Sequence, residues 1–318
     1  MKIEKTWTSA HGKLLLFGEH AVVWGHPAVG LSLESNLKLS WTPQESWSFS
    51  KIPAEFQPVL RNLVEHFQKM RFQAGLSPLQ PGDLFISSEV PVGSGFGSSG
   101  ALCAAFAQLF FPSPSLSGEF SWDTLARGAE SYFHGNPSGF DTALALREGW
   151  WKFQRQKDEI SLTPLKFRRP NLVIGAIPRL SSTKNLVEGL AEKRIKDTRG
   201  VSSTLASLGE IANQGALLFQ NETERLDHEI GRLFTQAQKA LKLLGLSVET
   251  FKTIFETAKN RTGALGAKLS GAGGGGAFVL IYPSPESASQ ACHYFELNYP
   301  SSTWTLAPSP VFGLRNRP

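Results

Sequence analysis

Residues 93–100 read GSGFGSSG and lie between Leu84–Val90 (LFISSEV) and the alanine-rich stretch Ala101–Phe111 (ALCAAFAQLFF). The first flank reads as a strand and the second as a helix, so the glycines occupy a strand-to-helix turn. Backbone amides converge at such a turn, and the helix N-terminus adds about half a positive charge. Glycine permits φ above zero and close backbone approach. Gly93, Ser94, Gly95, Phe96, Gly97, Ser98 and Ser99 can therefore wrap phosphate oxygens, with Ser98 or Ser99 capping the helix or reaching a cation. The plainer alternative is a glycine-rich turn with a serine cap. A Walker A loop is disfavoured, because the lysine that GxxxxGK requires is absent.

Upstream, short apolar runs alternate with glycine (KLLLFGEH, HPAVGLSL), and Asn36–Trp41 alternates with the period of a strand. Glu55–Ala74 places Phe56, Leu60, Leu63, Val64 and Phe67 at helical spacing. Downstream, the cluster Pro112–Gly118 breaks the helix that follows the loop, and a second helix is predicted over Trp122–Phe133. Strands are predicted over Gly149–Gln154 and Asn171–Ile177, with a domain boundary at the arginine-rich Phe167–Pro170. Val201–Lys259 is helical almost throughout, interrupted at Gly245, and Ala277–Tyr282 (AFVLIY) returns to a strand. The second domain is thus α+β. Between these last segments, Gly271–Gly276 spells GxGxxG. A dinucleotide fingerprint needs a strand before the glycines and a helix after them, whereas here a helical segment precedes and a strand follows. A close-packed turn fits that order better. No internal repeat or low-complexity segment is present.

The 318 residues are enough for two cores, and 41% hydrophobic with 19% charged residues describes an ordinary globular composition. The formal charge of +5 is scattered, apart from Lys166, Arg168, Arg169 and Lys193, Arg194, Lys196. With no basic stripe and no interleaved aromatics, nucleic acid is not an expected partner. Two cysteines, Cys103 and Cys292, support neither a disulfide framework nor a thiolate metal cluster, and suggest a reducing compartment. No apolar run has the length of a signal peptide or membrane span, so a cytoplasmic enzyme without membrane attachment is expected.

Three polar clusters remain: GKLLLFGEH with Lys13, Glu19 and His20; GAESYFHGNPSGFD with Glu130, Ser138 and Asp141; and SSTKNL with Ser182, Thr183 and Lys184. Singly, each has a structural explanation as a solvated lysine, a core histidine or a turn. Together they can supply what phosphoryl transfer requires: a phosphate cradle, oxygen ligands for a cation, a proton acceptor and positive charge near the reacting oxygens.

The ordered set SAHGKLLLFGEHAVVWGHPAVG, EVPVGSGFGSSGA, HGNPSGFD and KLSGAGGGGAF resembles the motifs of the GHMP kinases. GEHAVV and HGNPSGFD are most similar to the mevalonate kinase branch. The resemblance implies an α+β, two-domain GHMP kinase fold: an N-terminal α/β nucleotide-binding domain over 1–168 and a helix-rich, ferredoxin-like C-terminal domain over 169–318. It implies ATP and Mg²⁺, with Gly93–Ser99 around the phosphates, Ser88 near the nucleotide, and Ser99 and Glu130 as metal ligands. Asp141 is implied as general base and Lys13 as its cationic neighbour, with Glu19, His20, Ser138 and Thr183 toward the acceptor. The implied partners are mevalonate and ATP, in a monomer or homodimer. Phosphomevalonate kinases, sugar kinases and a non-catalytic sensor on the same fold are the alternatives. Two positions depart from the family pattern: His11 replaces a usual proline, and Gly100 replaces the alanine after the two serines.

Overall fold

The computed structural model describes residues 6–111, 118–133, 137–156, 159–165, 170–181, 183–221, 225–300 and 302–307. Most of the arginine-rich boundary segment, most of the Pro112–Gly118 cluster, His134 to Asn136 and Ser182 fall outside the described residues. The chain forms two compact units: Met1–Gly12 with Ser35–Val90 and Gly97–Glu148, and Lys13–Glu34 with Pro91–Phe96 and Gly149–Pro318. Strands β1 (Thr6–Phe17) and β2 (Ala28–Pro43) are neighbours in one sheet, and each contributes residues to both units.

The first unit contains α1 (Gln57–Gln73), β3 (Gly82–Ser88), α2 (Ser98–Phe110), α3 (Trp122–Glu130) and α4 (Phe140–Ala145). β2 and β3 run antiparallel, with Leu37 opposite Ser88 and Trp41 opposite Leu84. The apolar face read for α1 buries Leu60, Leu63, Val64 and Phe67. Phe56 lies in the preceding 3₁₀ turn instead and stays exposed. α2 is buried on nearly every side, which its alanines allow: small side chains let neighbouring helices approach closely. Phe106 stacks on Phe67 at 5.9 Å between ring centres and Phe110 meets the same ring at a tilt at 5.4 Å, which fastens α2 to α1. At the end of α4, Arg147 grips Asp123, in the first turn of α3, through bonds of 2.7 and 2.6 Å.

The second unit contains β4 (Trp150–Gln156), β5 (Glu159–Pro164), β6 (Asn171–Ile177), α5 (Thr183–Lys196), α6 (Thr198–Leu218), α7 (Leu226–Leu243), α8 (Glu249–Arg261), β7 (Gly266–Leu269), β8 (Gly276–Tyr282), α9 (Pro285–Asn298) and β9 (Thr303–Ala307). β4 pairs antiparallel with β5 and with residues 28–31 of β2. A second antiparallel sheet runs in the order β7-β8-β6-β9. All seven residues of β8 are buried, as its unbroken apolar reading requires of a strand covered on both faces. α7 and α8 pack on β7, and α9 packs on β6. Phe251 and Phe255 of α8 meet Phe278 of β8 at 5.9 and 6.0 Å. No helix among the described residues is long and apolar enough to cross a membrane.

Two local expectations change. The helix after the first glycine loop begins at Ser98 rather than Ala101, because Gly97 adopts φ 81° and ends the turn there. The N-cap is therefore Gly97, no side chain caps the helix, and both serines lie in its first turn. The later glycine run follows the four-residue strand β7, not a helix. It still leads into a strand, so the dinucleotide reading remains excluded.

Candidate active site

In the first unit, Ser99 and Cys103 are one turn apart on α2 and share a face. The Cys103 thiol is pushed well above its ordinary value by burial and, secondarily, by the negative charge of Glu130. Glu130 is itself buried at 3% exposure near the end of α3, close enough to α2 for its charge to act on Cys103. One hydroxyl and one carboxylate are hard donors. Among the described residues no group of three or more His, Cys, Asp or Glu could hold a metal. That donor set fits Mg²⁺, which keeps waters and substrate phosphates as its other ligands.

Asp141 lies in the first turn of α4, whose N-cap Gly139 has φ 83°. A helix start favours an anion at that position. The hydroxyl of Ser138 accepts from the backbone amide of Phe140 at 3.2 Å, which helps to open α4. Ser88 bonds within its own turn, to the carbonyl and amide of Val90 at 3.0 and 3.1 Å. His11 faces Glu148 at 3.8 Å.

In the second unit, Gly93 and Gly95 have φ of 75° and 93°, conformations that L side chains rarely adopt. Ser94 closes the turn by donating to the carbonyl of Pro91 at 2.8 Å. Phe96 is buried, and its carbonyl accepts from the backbone amide of Lys13 at 2.8 Å. The glycine loop and the lysine of the first motif are thus fastened together through the main chain. The Lys13 side chain is itself buried at 5% exposure.

Glu19 is wholly buried and is paired with Lys268, which is wholly buried too. Lys268 also donates to the carbonyl of Leu269 at 2.7 Å and lies 5.7 Å from the centre of the Phe234 ring. Burial outweighs pairing for both groups, pushing the Glu19 carboxyl up and the Lys268 ammonium down; Lys268 and, less strongly, Lys13 oppose the rise at Glu19. The second carboxylate oxygen of Glu19 has no hydrogen-bond partner.

His20 has φ 57°, the one positive value at a non-glycine residue among those described. Its Nε2 lies 2.9 Å from the carbonyl of Ala272 in the later glycine run. Such a backbone costs about 1–3 kcal/mol and persists where its surroundings hold it. Here the Ala272 contact anchors the ring. Burial pushes the imidazole below its ordinary value of 6.5, so the folded chain keeps His20 neutral. As pH falls the unfolded chain takes up this proton first. The contribution to stability is complete above about pH 6.5 and is lost as pH falls through the lower folded value. His20→Asn tolerates the positive φ and removes the titration. Its melting temperature is expected to fall less between about pH 7 and 5 than that of the parent chain; equal slopes would assign the effect elsewhere. His66, also pushed down by burial, is common to both proteins and cancels.

Thr183 accepts from Nη1 of Arg179 at 2.7 Å. The same guanidinium lies beside both glycine runs: a Cβ on Gly95 would meet Nη2 at 3.1 Å, and one on Gly276 would meet Nε at 2.7 Å. Lys184 turns outward to Glu188 at 3.9 Å. Arg179 and Lys268 were not among the residues singled out from sequence. Lys268 stands inside the motif KLSGAGGGGAF, where a lone charge in an apolar segment bordering a glycine turn was the available signal.

Residues 59–149 match the model for the GHMP kinases N terminal domain, and residues 221–301 that for the GHMP kinases C terminal. The chain is 31% identical over 289 residues to a curated mevalonate kinase of Archaeoglobus fulgidus, covering 86% of this chain and 91% of that one. Among solved structures, L. major mevalonate kinase in complex with R-mevalonate is similar at TM-score 0.74 and 22% identity, over 93% of this chain and 94% of that one. Lactococcus lactis galactokinase complexed with galactose is similar at TM-score 0.77 and 18% identity, over 95% and 93%. The two solved structures share the fold and differ in acceptor, so the fold alone does not select the alcohol.

Proposed function

We propose that this chain, which belongs to the GHMP kinase family, phosphorylates the 5-hydroxyl of mevalonate with ATP. The observation that carries the reading is the glycine turn at 93–97 opening α2, whose first turn packs against Asp141 at the head of α4. The acceptor is drawn from the mevalonate kinase of Archaeoglobus fulgidus, 31% identical over nearly the whole chain.

In this reading the amides of Gly93–Ser99 hold the ATP phosphates at the N-terminus of α2. Ser99 and Glu130 would hold Mg²⁺, which would supply neutralisation of the phosphate charge. Asp141 accepts the proton of the 5-hydroxyl as that oxygen attacks the γ-phosphorus. A loose transition state asks mainly for positioning and late proton acceptance, so a carboxylate suffices as base. Lys13 supplies positive charge to the transferring group. Glu19 and His20 are read as the groups on the acceptor side, and Thr183 is held by Arg179. The two free, buried cysteines accord with a reducing, cytoplasmic location.

The test is ADP formation with ATP and Mg²⁺ on mevalonate, phosphomevalonate, galactose and homoserine. Mevalonate is expected to give the highest kcat/KM. A preference for phosphomevalonate or galactose would replace the acceptor within the family. ATP binding without turnover on any alcohol would favour the sensor.

A further inference from the structure

We propose that Gly100 is a positioning residue for Asp141, and that its missing side chain sets how closely the start of α4 seats against the first turn of α2. The inference rests on the reading of Asp141 as the base. Gly100 is buried and its φ lies outside the positive range, so its backbone conformation does not call for glycine. Glycine is also a poor helix former at such a position. What glycine provides there is space. A Cβ built on Gly100 would lie 2.9 Å from Cβ of Asp141, 3.0 Å from its carbonyl carbon and 3.2 Å from the amide nitrogen of Thr142. These atoms are backbone or directly attached to it, so no flexible side-chain tip can turn away. The surroundings have little slack, since Ala101, Thr142 and Ala143 are at 0% exposure and Phe140 is at 1%. Arg147, at the other end of α4, is held by Asp123 and bonds back to the carbonyl of Ala143 at 2.9 Å.

The alanine that the family pattern carries after the two serines therefore does not fit this chain without moving α4. The 2.9 Å approach is 0.5 Å short of ordinary contact, which begins at 3.4 Å. A misplacement of 1 Å at a reacting group costs about 100-fold in rate, so a shift of half that size is worth about tenfold. Gly100 thus acts through Asp141, and the loss of helix propensity that glycine brings is offset by the closer seat of the base.

The experiment is a double-mutant cycle of Gly100→Ala and Asp141→Asn, with kcat, KM for ATP and melting temperature measured for each protein on the preferred alcohol. Gly100→Ala alone is expected to lower kcat about tenfold with KM for ATP changed less than about twofold. In the Asp141→Asn background the same substitution is expected to lower kcat less than about twofold, because the group it displaces no longer takes the proton. Ala104→Gly, in the interior of the same helix, is the structural control: a lower melting temperature with kcat unchanged. A Gly100→Ala protein with full kcat, or an equal loss in both backgrounds, overturns the proposal and leaves the base intact. Asp141→Asn with undiminished kcat overturns the base and this inference with it. Should Gly100→Ala yield no folded protein, adding Asp141→Gly removes the nearest of the three contacts and is expected to recover part of the lost folding; a double variant no better folded than Gly100→Ala alone overturns the proposal that Asp141 is what the new methyl displaces.

Discussion

Asp141→Asn is expected to lower kcat by about 100- to 10,000-fold, the range over which a positioned general base contributes. The substitution keeps the shape and the Cβ that packs against Gly100, so α4 stays seated and the melting temperature stays within a few degrees. It leaves the phosphate loop untouched, and ATP is expected to bind with the parental affinity. The combination is diagnostic: a group acting only when the proton moves depresses kcat and kcat/KM together. Near-parental turnover of Asp141→Asn would sink the base. A large rise in KM for ATP at unchanged kcat would turn Asp141 into a binding group. Both are read from one steady-state series.

Lys268→Met is expected to destabilise the protein by about 3–5 kcal/mol, because it leaves the Glu19 carboxylate buried beside an apolar side chain. Methionine keeps the length of the lysine stem and its place by Phe234, so the loss reports the missing charge. The Glu19→Gln/Lys268→Met pair removes both charges and is expected to recover much of that loss, since well-packed neutral groups of similar volume often equal or exceed a buried ion pair. The measurement is urea unfolding of the two single variants and the pair. Additive losses would show that Glu19 and Lys268 do not act as a unit. A loss for Lys268→Met under about 1 kcal/mol would place both groups in contact with water.

Legibility in the sequence follows the range of the interaction. β6 was read at Asn171–Ile177 and occurs there, because an unbroken apolar run bounded by turn residues is local information. The loop at 93–100 was legible for the same reason: its glycines adopt positive φ and α2 follows directly. α4 has six residues and β7 four, too few for a period to show. α5 buries Leu190 alone among its described residues, so its polar sequence carries no apolar stripe to read. The role of Lys268 was hidden because its partner is 249 positions away, and a lysine in a strand is ordinarily solvated. The two serines were read as possible caps because Ser favours that position. Gly97 takes it instead by adopting a conformation closed to most side chains.

The guanidinium of Arg179 occupies the room into which side chains at Gly95 and Gly276 would grow. These three positions are far apart in the chain and adjoin one another in space. Shortening Arg179 would open space beside both positions without freeing either, because Gly95 at φ 93° and Gly276 at φ 80° hold backbones that L side chains rarely adopt, and a side chain at Gly95 would still meet Ala277. The arginine can therefore vary while the two glycines stay.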